Sequence, residues 1–86
     1  MQRGWVVSPD YRVAIDAIRA ARVECGLSQR ELARRLQKPP SFVNKIEKLE
    51  RRLDILEFIT IADAIGIDPC RLLKTIRASL PERIQL

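Results

Sequence analysis

The run Pro40-Ser41-Phe42-Val43-Asn44-Lys45 places a hydroxyl, a carboxamide and an ammonium within two helical turns. None of the three titrates near neutrality as a general acid or base must. What they supply is hydrogen bonding: serine donates and accepts, an asparagine amide does both at once, and lysine only donates. Nucleobases present the planar donor and acceptor edges that such groups fit. Asn44 matches adenine bidentately, Lys45 matches guanine O6 and N7, and Ser41 suits several edges. Pro40 leads the same face. Phe42 beside it is evenly balanced between packing and pressing on a thymine methyl or a sugar.

Catalysis lacks candidates. The 86 residues include no histidine, and they show no nucleophile-elbow glycines, phosphate-binding loop or clustered carboxylates, so no enzyme is expected. Cys25 and Cys70 lie far apart without a second pair, so zinc-ligand spacing is missing. Both read as small core hydrophobes, and neither metal nor other cofactor is expected.

The charge around the run has one sign. Between residues 27 and 53 stand Arg30, Arg34, Arg35, Lys38, Lys45, Lys48, Arg51 and Arg52, against Glu31, Glu47 and Glu50. That excess equals the formal net charge of the whole chain, +5, so the remainder is neutral. Solvated helix faces usually mix signs; a local surplus in a neutral background favours a polyanionic partner. Lys38, Lys48, Arg51 and Arg52 flank the run and read as phosphate contacts, which position a protein without reading sequence. Arg30, Arg34 and Arg35 stand on the preceding helix, only one side of which can approach a nucleic-acid backbone. Of these, Arg30 is kept as a phosphate contact.

Five short helices must hold these groups. Ser8 and Pro9 start the first, whose stripe of Tyr11, Ala14, Ile15, Ile18, Ala21 and Cys25 runs to Gly26. Ser28 with Glu31 fits a capping box for the second, with Leu32, Ala33 and Leu36 inward. Pro39 ends it, and Pro40 opens a third helix of Val43 and Ile46, running over about 40–49. Asp54 with Glu57 caps the fourth, which Gly66 stops; Asp68-Pro69 starts the fifth, which Pro81 closes. Only Trp5-Val6-Val7 has strand-like content. The fold class is therefore all-α. One domain spans 1–86, with an arm over 1–8, a helical core over 9–80 and a tail over 81–86. No stretch suits a membrane span, so a soluble cytoplasmic protein is expected.

Two helices joined by a tight turn at 28–49, the second opening at a proline and carrying cations outward, make helix-turn-helix geometry. The residues that carry a family likeness are Gly26-Leu27-Ser28-Gln29, Glu31-Leu32-Ala33, Leu36, Ser41, Val43, Ile46-Glu47, Ala62, Ala64, Gly66 and Leu72-Leu73. In order and spacing they resemble the Cro/C1-type, or XRE-like, helix-turn-helix repressors of bacteria and phages, over about three quarters of the chain. The resemblance implies a five-helix, lambda-repressor-like domain with the third helix as recognition helix. It also implies dimeric binding to a palindromic operator in double-stranded DNA, and transcriptional regulation at the bacterial nucleoid. Gln29 matches the family's glutamine on the DNA backbone. Gln37 and Leu49 depart from the pattern, replacing glycines of the turn and of the third helix's end. A left-handed Gln37 should cost on the order of 1 kcal/mol, and Leu49 leaves room for a longer or differently ended helix.

Arg22 and Glu47 are the charges on otherwise inward stripes, and they are expected to pair between the first and third helices; the resemblance supports this. Leu72, Leu73, Ile76, Leu80 and Ile84 supply apolar surface in excess of what five short helices cover, and read as a homodimer face. Trp5, Val6 and Val7 suit either core or interface, and Arg3 suits a phosphate or the minor groove. An alternative reading is a protein-interaction module, an antitoxin or antirepressor-type partner that covers a toxin or repressor and still binds its own operator.

Overall fold

The computed structural model describes residues 7–86 and arranges five helices: α1 Pro9–Glu24, α2 Gln29–Arg35, α3 Ser41–Glu47, α4 Ile55–Ile65 and α5 Pro69–Ser79. No strand occurs among the described residues. Arg3, Trp5 and Val6 lie outside them, while Val7 packs on the edge of the core.

Helix starts follow the caps read from sequence. The Ser8 hydroxyl accepts the Tyr11 N–H at 3.0 Å, and Ser28 accepts that of Glu31 at 3.0 Å. Asp54 and Glu57 exchange bonds of 2.8 and 2.9 Å in a complete capping box. At Ser28 the box is only half made, because the Glu31 carboxylate turns to Arg34 and Arg35 instead. The start of α3 differs from expectation. Pro40 occupies the cap position with helical angles (φ −55°, ψ −31°) and no side-chain bond, and regular helix begins one residue later.

Four helices end alike, each on a left-handed residue: Gly26 at φ 77°, Gln37 at 57°, Leu49 at 63° and Gly66 at 94°. In each case the next N–H reaches back over the turn. Leu27 donates to Arg22 O at 3.2 Å, Lys38 to Ala33 O at 3.0 Å, Glu50 to Lys45 O at 2.9 Å and Ile67 to Ala62 O at 3.0 Å. This is the Schellman closure. Leu49 therefore does not lengthen α3; it adopts the conformation that glycine favours. Its side chain is almost fully buried, and burying a leucine contributes roughly 1.5–3 kcal/mol against a left-handed cost of roughly 1–2. Exposed Gln37 has no such offset.

The core joins Ile15 and Ile18 of α1, Leu32 and Ala33 of α2, Val43 and Ile46 of α3 with Leu49 just beyond it, Ile61, Ala62 and Ile65 of α4, and Leu72 and Ile76 of α5. α1 packs on α5 and α3, α2 on α3 and α4, and α4 on α5. Two expectations are corrected here. Leu72 and Ile76 point into this core and are unavailable as a dimer face, whereas Leu73 and Ile84 are exposed. Cys25 and Cys70 are both exposed rather than buried. Cys25 lies just past the last turn of α1, where the helical stripe no longer governs direction, and Cys70 stands in the outward first turn of α5.

Between α1, α4 and α5 runs an apolar groove of about 530 Å³, lined among others by Tyr11, Ile18, Ile55, Phe58, Ile59 and Leu73. None of its lining comes from α2 or α3.

Candidate nucleic-acid interface

α3 is held from behind and open in front. Val43 and Ile46 are 2% exposed, while Pro40, Ser41, Lys45 and Lys48 face solvent and Asn44 is partly exposed. Lys45 and Lys48, together with Arg30 on α2, make no ion pair or side-chain hydrogen bond among the described residues.

Glu47 anchors α3 from within. Arg22 Nε donates to Glu47 Oε2 at 2.7 Å and Arg22 Nη2 to Oε1 at 3.0 Å, a two-pronged bond, while Arg22 Nη1 donates to Leu27 O at 2.6 Å. Both side chains of the pair are under 10% exposed. The expected ion pair is thus present, joined by two residues not foreseen as its partners. Gln29 Nε2 donates to Glu47 Oε1 at 2.8 Å, and Arg19 Nε lies 3.8 Å from the same oxygen with most of its side chain in solvent. The only hint of Arg19 in the sequence is its position three residues before Arg22 on α1. One carboxylate therefore ties α1, α2 and α3 together, and it orients Gln29, the residue read as a phosphate contact.

The remaining cations divide into two groups. Arg34 pairs with Glu31, and Arg35 reaches Glu31 at 3.3 Å and Ala64 O at 2.9 Å. Hydrogen bonds from Arg34, ahead of those from Arg35, hold the Glu31 carboxyl down at about 2, so these charges largely answer one another on the surface. Arg51 also turns inward. Its Nη1 and Nη2 reach the Glu57 carboxylate at 2.9 and 2.5 Å, and its guanidinium lies 4.8 Å from the centre of the Phe42 ring. Lys38 flanks the same ring at 5.5 Å, and Arg52 lies 4.9 Å from the Tyr11 ring. Phe42 is half-buried against the core, which favours its packing role. Tyr11 in turn accepts the Leu53 N–H at 3.1 Å, pinning the loop after α3 to α1.

Among the described residues no cluster of acidic or cysteine side chains could hold a metal ion, and no helix is long and apolar enough to cross a membrane. The surface around α3 is a rigid cationic face with hydrogen-bonding groups at its centre, suited to a polyanion with readable edges.

Comparison with known proteins agrees. The helix-turn-helix family matches residues 18–72. Among solved structures, an XRE-family like protein from Pseudomonas syringae pv. tomato str. DC3000 is 44% identical, with a TM-score of 0.77, covering 84% of this chain and 88% of its own. The wild-type restriction-modification controller protein C.Esp1396I shares the fold at 19% identity and a TM-score of 0.78, covering 85% and 96% of the two chains. The clp gene regulator ClgR from C. glutamicum does so at 18% identity and a TM-score of 0.75, covering 90% and 100%. No curated protein matches the chain.

Proposed function

The chain belongs to the XRE-like helix-turn-helix family of DNA-binding transcription regulators, and from that premise we propose that it represses transcription by binding a palindromic operator as a homodimer. The observation that carries this reading is the open outer face of α3, with Ser41 in its first turn and Lys45 in its last both in solvent, above a buried Arg22–Glu47 pair. Pro40, Ser41, Asn44 and Lys45 read base edges in the major groove. Gln29, Arg30, Lys38, Lys48 and Arg52 hold phosphates and set the register.

The dimer forms over the groove between α1, α4 and α5, where Ile55, Ile59 and Leu73 leave apolar surface in water on the side that lacks α2 and α3. Such patches mark association surfaces. Binding a palindromic operator requires the two-fold axis there to set two copies of α3 about 34 Å apart, one turn of B-DNA. Selection of bound duplexes from a random pool tests the reading: an inverted repeat with half-sites one turn apart is expected, and recovery of unrelated sequences would contradict it.

A further inference from the structure

Sequence composition groups Arg51 with the phosphate-binding cations, yet its partly exposed side chain is held on several sides as a strut is. Both ends of its guanidinium fork are engaged by the Glu57 carboxylate, and Nη1 also donates to Arg52 O at 2.8 Å. A planar fork matched to a carboxylate in this way has fixed direction as well as charge. The plane so fixed lies 4.8 Å from the centre of Phe42, with the Lys38 ammonium 5.5 Å from the same ring. Cations at such distances attract the ring's electron-rich face. Phe42 is the second residue of α3, next to Ser41 and three before Lys45. Glu57 meanwhile accepts the Asp54 N–H at 2.9 Å as part of the α4 cap. The capped start of α4 is thus joined through one arginine and one aromatic ring to the reading turn of α3.

We infer that Arg51 is a positioning residue: held by Glu57, it fixes Phe42 and hence the direction of Ser41 and Lys45, and it neutralises no phosphate. This rests on the DNA-reading role of α3 and adds a specificity determinant to it. Arg51 also keeps the Glu57 carboxyl below its ordinary value, so the carboxylate stays charged across the usual working range.

Affinity is measured at several salt concentrations, for the pool-selected site and for an unrelated duplex, with the wild-type chain, Arg51→Met, Arg51→Lys, Glu57→Gln and Lys48→Ala. Glu57→Gln keeps an acceptor for the α4 cap and leaves Arg51 its charge. The expected result is a loss of roughly tenfold at the selected site for all three variants at 51 and 57. The unrelated duplex then changes less than about twofold, and the slope of log affinity against log salt is unaltered. Lys48→Ala instead makes the slope less steep by about 0.9 and weakens both duplexes. The inference is overturned if Arg51→Met makes the slope less steep as Lys48→Ala does, if Arg51→Lys binds like wild type, or if Glu57→Gln binds both duplexes more tightly. Amide resonances of residues 41–45 in the DNA-free chain give a second readout and are expected to shift in Arg51→Met and Glu57→Gln; unmoved resonances would also overturn it. If no duplex binds the wild-type chain, the proposed function fails, and these resonances alone decide whether Arg51 positions Phe42.

Discussion

Glu47 shows at the residue scale how a buried charge can serve orientation. Its two oxygens receive Arg22 and Gln29 from two other helices, so removing it strands a guanidinium inside the core. Glu47→Ala is expected to cost about 3–5 kcal/mol and to lower DNA affinity in the same variant, read by thermal unfolding and by titration with a duplex. An unchanged melting temperature would contradict it. Arg19, mostly solvated, should cost under about 0.5 kcal/mol when replaced by alanine. The Arg22–Glu47 pair was legible because two charges interrupt apolar stripes. Gln29 and Arg19 were not, since reach across a helix junction leaves no trace in periodicity. Glu57 adds a pH signature. Its folded value lies below the ordinary 4.5, first through its Arg51 bonds, so the stability it contributes is present above about pH 4.5 and lost as pH falls below it. The difference in melting temperature between wild type and Glu57→Gln should therefore shrink on acidification through that range.

The two helices of the motif end, at the element scale, in the same backbone form on residues of opposite fate. Gln37 is left-handed and exposed; Leu49 is left-handed and buried. Gln37→Gly should therefore stabilise by about 0.5–1 kcal/mol, while Leu49→Gly should destabilise by roughly 1–4 kcal/mol because the lost core contacts outweigh the relieved strain. Denaturant unfolding of the two variants checks this, and shifts of the same sign would contradict it. Caps, prolines and the apolar stripes made five helices legible to within a residue or two. The closures at Gln37 and Leu49 were harder to read, because glycine is the usual sign of a left-handed residue and here the surrounding bonds impose that form without it. Cys25 misled for a related reason: a stripe extrapolated past the last turn no longer points inward.

At the scale of the whole molecule the chain has two unlike faces, a cationic one around α3 and an apolar one between α1, α4 and α5. The leucines of the last helix suggested the second face, but the sequence did not show that Leu72 would turn inward or that Ile55 and Ile59 of α4 would stand beside Leu73. That adjacency exists only once α4 and α5 pack. Replacing Ile55 and Leu73 together by glutamate should yield a monomer in sedimentation with little change in stability, since both side chains are already exposed; a dimer that persists would place the interface elsewhere. The most direct test of the central claim, that the outer face of α3 reads base edges, is the base preference of bound duplex pools for wild type and Lys45→Ala. Loss of preference at one position in each half-site, with the rest intact, is the predicted result. Identical preferences in the two pools would contradict it.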